Sequence, residues 1–255
     1  MKLISLNIWG GRVHGALIKF IKRYSDEVDI FCFQEALRTP TENTVIRDIH
    51  LNIYEEIKAL LPDHVAAFAA SEDNYIDGGP TNFPMEFGQA MFIRKSIEIK
   101  SVEDMFVHKH RGAARSETGR SAARAMQYAS VSHGGKNYTV FNYHGLHNGD
   151  GKSDSDERFE QSKKIGEILA SVHNSAKIVC GDLNLLPDTK SLGMLEGSMR
   201  NLIKEHGVTS TRSSYYEKPL KFADYILVDK NITVNEFAVL KDEVSDHLAM
   251  CLDFN

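Results

Sequence analysis

Lys177-Ile178-Val179-Cys180-Gly181-Asp182-Leu183-Asn184-Leu185-Leu186-Pro187 reads as a short apolar strand that stops at a glycine, then presents a carboxylate and a carboxamide before Pro187 ends the run. Side chains alternate faces along an extended chain, so Asp182 and Asn184 point the same way, into the space beyond the strand end. A carboxylate so placed can take a proton from water, and an amide that both donates and accepts can hold that water or a substrate oxygen. Taken alone, Gly-Asp-x-Asn is equally a simple turn, since Gly, Asp and Asn are the usual turn residues.

The flanking chain decides what surrounds this stretch. Before it, Ala125 to Ser132 and Tyr138 to His144 flank His133-Gly134-Gly135-Lys136-Asn137, a hairpin signal, and the second strand ends in Asn142-Tyr143-His144. A helix capped by Ser155 or Asp156 follows, with Phe159, Ile165, Ile168, Leu169 and Val172 on its buried face. After it, Asp188 to Glu205 has the spacing of a helix through Leu192, Leu195, Met199, Leu202 and Ile203, stopped by Gly207. Phe222 to Val228, Ile232 to Leu240 and Leu248 to Phe254 read as closing strands.

At the other end, Met1 to Trp9 alternates as a strand, His14 to Asp26 is helical through Leu17, Phe20, Ile21 and Tyr24, and Asp29 to Glu35 is a buried strand ending in polar residues. A strand, helix and strand this close make a parallel pair, which brings Asn7 and Glu35 to the same end of one sheet. Thr41 to Leu61 repeats the helical spacing through Ile46, Ile49, Ile53, Ile57 and Leu60. Val65 to Ala70, Gly88 to Arg94 and Ile97 to Val107 are further strands. About eleven strands and four principal helices are too many for one ordinary sheet. The expectation is an α/β four-layer sandwich, two packed mixed β-sheets flanked by helices, with residues 1–255 forming one domain.

Length, with apolar and charged fractions of 42% and 25%, is that of an ordinary folded chain that can bury a full core. No apolar run has the length of a membrane span or the form of a signal peptide. Cys32, Cys180 and Cys251 sit singly in apolar runs, which suits buried free thiols in a reducing, cytoplasmic setting. A net charge of -5 argues against a protein that coats nucleic acid, though not against an enzyme that visits a phosphate.

Polar residues recur at the strand ends: Asn7, Glu35, His144, Asp182 with Asn184, and Ser245-Asp246-His247. Asp224 lies early in an apolar run, where a carboxylate is costly unless paired. Six such positions together imply a shared pocket. The set Ser5-Leu6-Asn7, Phe33-Gln34-Glu35, Asn142-Tyr143-His144, Gly181-Asp182-Leu183-Asn184, Ala223-Asp224-Tyr225 and Ser245-Asp246-His247 resembles the endonuclease/exonuclease/phosphatase superfamily. That superfamily holds deoxyribonucleases, apurinic/apyrimidinic endonucleases, inositol-polyphosphate 5-phosphatases, neutral sphingomyelinases and deadenylases. The likeness runs from the first strand to the last.

The resemblance implies a Mg²⁺-dependent hydrolase of phosphate esters, with Mn²⁺ as the alternative ion. Glu35 would be the principal metal ligand, supported by Asn7 and Asp246. Asp182 would orient and deprotonate the attacking water and Asn184 would fix it. His247, its tautomer set by Asp224, and His144 would contact the phosphate. Glu86, in Phe83-Pro84-Met85-Glu86-Phe87-Gly88, is the candidate for the glutamate that supports this histidine in several members; an exposed loop charge is the alternative. His14 and His147 are given no role.

For substrate, the basic run His108 to Arg124 offers Arg115, Arg120 and Arg124 to a second phosphate or a nucleic-acid backbone, and Trp9, Tyr215 and Tyr216 could stack on bases. A nucleic-acid phosphodiester is favoured. The alternatives are a phosphomonoesterase, a lipid phosphodiesterase and, outside catalysis, a phosphate-binding module. Leu185-Leu186-Pro187 stands where the 5-phosphatases carry an arginine, which counts against an inositol phosphate. No membrane partner is implied.

Overall fold

The computed structural model describes residues 1–41, 44–76, 79–113, 122–148, 151–197 and 199–255. The chain starts as a βαβ unit: β1 (Lys2–Asn7) and β2 (Ile30–Arg38) pair in parallel across α1 (His14–Tyr24), with Asn7 opposite Gln34. The short β3 (Val45–Ile46) and β4 (Ile49–His50) precede α2 (Ile53–Leu60), which is followed by β5 (His64–Asp73), the short β6 (Tyr75–Ile76) and β7 (Gly79–Pro80), β8 (Glu86–Arg94) and β9 (Glu98–His108). Next come β10 (Arg124–His133), β11 (Lys136–His144), α3 (Asp156–Ser171), β12 (Ala176–Asp182), α4 (Lys190–Glu196), β13 (Met199–Asn201) and α5 (Leu202–Glu205). The chain closes with β14 (Asp224–Asp229), β15 (Val234–Val239) and β16 (Met250–Phe254).

Twelve of these strands form two mixed six-stranded sheets, ordered β15-β16-β1-β2-β8-β5 and β13-β14-β12-β11-β10-β9. Alternation along β1 shows the layering. Leu3 enters the core between the sheets, whereas Ile4, Leu6 and Ile8 face outward onto Leu17, Phe20 and Ile21 of α1 and Ile53 and Ile57 of α2. On the second sheet, Ile165 and Ile168 of α3 and Leu192 and Leu195 of α4 join the core that includes Val140, Ile178 and Ile226. The sheets are also tied by a polar link: Gln34 Nε2 donates to Asn142 Oδ1 at 2.7 Å, and Asn142 Nδ2 to the carbonyls of Phe33 and Ala90, both at 3.1 Å.

The hairpin between β10 and β11 turns at Gly134-Gly135, both with positive φ, as a two-residue turn matching the twist of its strands requires. Two helical readings need correction. Ile46 and Ile49 have helical spacing, but Arg47 and Asp48 adopt φ of 52° and 65° and turn the chain into the β3–β4 hairpin, so the helix is confined to Ile53–Leu60. Asp188 to Glu205 is also broken: α4 ends at Gly197, Met199–Asn201 joins the edge of the second sheet, and Asn201 Oδ1 then caps α5 by accepting from the Ile203 and Lys204 amides. Met199, Leu202 and Ile203 therefore serve two elements rather than one helix face.

Candidate active site

At the ends of β1, β2, β11 and β12 the chain departs from regular geometry to aim polar groups at one point. Glu35 has φ of 56° where β2 slips register against β8, a bulge that turns its carboxylate off the sheet. Asn184 also holds a left-handed backbone, φ 53°, and its amide donates to Asp182 Oδ1 at 2.9 Å. Such backbone strain persists where the surrounding structure over-determines it. Gly181 allows the approach: a Cβ there would sit 2.0 Å from the Tyr143 carbonyl oxygen, so β12 can lie against β11 and place Asp182 level with His144.

The acidic groups converge. Asn7 Nδ2 donates to Glu35 Oε1 at 3.0 Å and to Asp182 Oδ2 at 3.1 Å, while its Oδ1 accepts from the Trp9 amide. His144 Nε2 lies 3.7 Å from Glu35 Oε1 and 3.8 Å from Asp182 Oδ2. His247 Nε2 is 3.5 Å from Asp182 Oδ2, and its Nδ1 donates to Asp224 Oδ1 and Oδ2 at 2.8 and 2.9 Å. Thr211 Oγ1 donates in turn to Asp224 Oδ2 at 2.8 Å, so the lone carboxylate of the apolar run is fully engaged.

The electrostatics follow from this crowding. Burial pushes the Glu35 carboxyl up to about 7 against the hydrogen bond from Asn7, and the charges of Asp246 and Asp182 add to the rise. Burial also works to raise Asp182, but the positive groups facing it, His247 first, hold it well below the usual carboxylate range. Burial and then the Arg124 charge keep His144 well below the ordinary imidazole value. For His247 burial acts downward, yet Asp224 and Asp182 raise it.

A cleft of about 360 Å³ opens over these groups, and Glu35, His144, Asp182, Asn184, Asp246 and His247 all line it. Trp9 and Tyr216 line it too, as does His147, which no motif or spacing singles out; Tyr215 is 47% exposed and does not. Two cations that sequence reasoning missed, Lys152 and Arg212, complete the inner wall. Arg212 Nη1 donates to Asp246 Oδ2 at 2.8 Å and lies 2.6 Å from His247 Nε2. Both cations sit in irregular chain, where neither period nor spacing marks a buried position.

Other expectations land elsewhere. Glu86 does not support His144: it pairs with Arg38 and Arg111, and the neighbours of His144 are Glu35, Asp182 and the ring of Phe87. Arg124 lines the cleft, but its Nε is committed to the Gly145 carbonyl at 2.8 Å. Arg115 and Arg120 lie outside the described residues. A second donor group, His14, His50 and Glu56, lies outside the cleft; its two rings stack at 3.8 Å and 2°. A metal lies in the plane of each imidazole that binds it, and parallel stacked planes share no such point, so this group is packing.

Comparison with known proteins shows the family and the fold. The sequence profile of the Endonuclease/Exonuclease/phosphatase family matches residues 4–247. A search of curated sequences finds no significant match. Among solved structures, a mannosyl-6-phosphatase of Bacteroides thetaiotaomicron VPI-5482 superposes with a TM-score of 0.73 at 16% identity, covering 100% of this chain and 99% of that one. The human Nocturnin catalytic domain with bound sulfate gives 0.71 at 15% identity, covering 100% and 93%. D. rerio TDP2 complexed with single strand DNA product gives 0.67 at 17%, covering 100% and 98%.

Proposed function

The chain belongs to the endonuclease/exonuclease/phosphatase family and is a phosphoesterase of that family, and on this premise we propose that it hydrolyses phosphate esters at the cleft over Glu35 and Asp182 with a divalent cation. One observation carries the reading: donor atoms of Glu35, His144 and Asp182, from both sheets, all lie within 4.8 Å of one another. These residues fit an ion, because burial first and then the charges of Asp246 and Asp182 push Glu35 up, a load that a cation among them would offset. Oxygen donors suit a hard cation, Mg²⁺ or its substitute Mn²⁺. Glu35 would hold it, with Asp246 reaching it directly or through water. Asn7, whose Oδ1 is taken by Trp9, would act by fixing the spacing of the carboxylates.

When bound, the ion polarises a phosphoryl oxygen and offsets charge in the in-line transition state. The chain's own groups do the rest. Asp182, ionised across the physiological range, orients a water and accepts its proton, and Asn184 fixes that water from the same turn. His247, held by Asp224, would donate from Nε2 to a non-bridging oxygen, where negative charge grows, once the substrate draws the Arg212 guanidinium off that nitrogen. His144, kept neutral, contributes a hydrogen bond rather than a charge.

Trp9 at the rim supports a substrate with a planar ring, the basis for a nuclease-like phosphodiesterase; the cations of the inner wall, which pack on Tyr216, favour a terminal phosphate. Residues 1–255 would act as one domain. Cys32, Cys180 and Cys251 are free thiols, which supports a cytoplasmic setting, and among the described residues no helix is long and apolar enough to cross a membrane.

The test is a panel of abasic DNA, RNA, sugar phosphates, inositol phosphates and sphingomyelin with Mg²⁺. Asp182→Asn and Glu35→Gln should each lower kcat by about 10³-fold on whichever substrate the chain takes, with the circular dichroism spectrum unchanged. Retained turnover in either variant would overturn the assignment.

A further inference from the structure

Lys152 and Arg212 are buried beyond what their protein contacts explain. Lys152 is 5% exposed, and its ammonium, with three donors, has one protein acceptor among the described residues, the Phe222 carbonyl at 2.9 Å. Arg212 is 9% exposed; Nη1 is engaged by Asp246 and His247, but Nε is buried with no acceptor, and among the described residues none faces Nη2. Both cations flank one ring: the Arg212 guanidinium lies 4.0 Å and the Lys152 ammonium 5.6 Å from the Tyr216 centroid. All three residues line the cleft that holds Asp182 and His247.

A cation taken from water is retained where an anion completes its hydrogen bonds. Burial already lowers Lys152 to about 8, so the charged form gains from such a partner. The chemistry of that anion follows from the donors left open. A phosphodiester carries one negative charge, with two of its oxygens capped by carbon. A terminal phosphate carries close to two at neutral pH and presents three strong acceptor oxygens. His247, Arg212 and Lys152 supply donors for three oxygens, and a cleft of about 360 Å³ is within the range of small-ligand sites.

We propose that Lys152 and Arg212, seated on Tyr216, form an anion subsite that grips the terminal phosphate of a small phosphomonoester and makes that class, rather than a phosphodiester, the preferred substrate of the cleft. The substrate preference rests on the phosphoesterase reading above; the anion binding does not. Arg212 is in this view a substrate-binding residue that Asp246 positions, and Lys152 is its counterpart beside the same ring.

Two readouts on the whole chain separate the claims. Titration calorimetry with inorganic phosphate should give a Kd about tenfold weaker in Arg212→Gln and in Lys152→Gln than in the wild type, with Arg212→Lys recovering part of the loss. With Mg²⁺, wild-type kcat/KM should be higher on p-nitrophenyl phosphate than on bis(p-nitrophenyl) phosphate. The two Gln variants should lose about 30-fold or more on the monoester and about threefold or less on the diester. Unchanged phosphate binding, equal losses on both esters, or a wild type that prefers the diester overturns the subsite as proposed. Phosphate binding that depends on both residues without turnover of either ester would leave the subsite standing and remove the hydrolase. Circular dichroism of each variant guards against reading unfolding as lost binding.

Discussion

The two walls of the cleft are held in place by different means. Asn7, Glu35, His144 and Asp182 sit on or beside the ends of paired strands: Asn7 opposite Gln34 in the first sheet, His144 opposite Asp182 in the second, with the Gln34–Asn142 link beneath them. Lys152 and Arg212 come from irregular chain. A few backbone bonds pin it: Thr211 to Lys221 at 2.8 Å, Leu248 to Thr211 at 2.9 Å and Leu186 to Lys152 at 3.1 Å. Groups that must meet an ion and a water within a fraction of an ångström belong on rigid elements. Groups that grip a substrate can ride on loops, where exchange costs the fold little. On the proposed reading, the strand wall together with His247 would carry the reaction, and Lys152 and Arg212 the choice of ester.

Asp224 is where the two walls meet, since it is a strand residue that accepts from His247 and from Thr211, the neighbour of Arg212. Asp224→Asn removes the charge that raises His247 and the acceptor that fixes its tautomer. The expected result is a fall in kcat of about 100-fold. With the His247 pKa lowered, the protonated ring is lost at lower pH, so the alkaline limb of the rate profile moves toward acid. A limb that stays in place would show that His247 does not act as a charged donor.

Metal affinity probes chiefly the strand wall, through Glu35. Glu35 must lose its proton to hold a cation, and without one that proton leaves near pH 7. The apparent Kd for Mn²⁺ should therefore weaken about tenfold per pH unit below 7 and level off above it. Stability has the opposite sign. A carboxyl raised from 4.5 contributes stability that is present below its unfolded value and lost as pH rises through about 7. The melting temperature of the metal-free chain should carry this fall, and Glu35→Gln should remove it. A pH-independent Mn²⁺ Kd between 5 and 7 would place the ion away from Glu35.

The same contrast explains what could be read in advance. Asp182 and Glu35 announce themselves because apolar alternation stops at them, and Asp224 because a carboxylate interrupts an apolar run. Lys152 and Arg212 have no such frame. They are two of 30 basic residues, and only the folded chain shows them to be buried. Basic residues that look exposed in sequence can be spent on structure instead: Arg111 pairs with Asp73 and Glu86, and Glu86 is thereby unavailable to His144. The β3–β4 hairpin was hidden for a related reason. Ile46 and Ile49 are three apart in sequence, and nothing in that spacing reveals that Arg47 and Asp48 turn between them.

The smallest effect, and the sharpest separation of the walls, comes from the polar link in the core. Asn142→Leu keeps about the same volume but removes the donors to the Phe33 and Ala90 carbonyls and the nearest of the acceptors of Gln34 Nε2, all of them buried. Leaving such groups unpaired costs on the order of 2 kcal/mol, about 5 °C in Tm for a chain of this size. Because the link lies below Glu35 and His144, which must be held level across two sheets, kcat should fall severalfold while the Kd for inorganic phosphate at Lys152 and Arg212 holds. A variant that loses phosphate affinity in step with kcat would mean that the loop wall takes its geometry from the same sheet junction, and that reaction and selection are not carried separately.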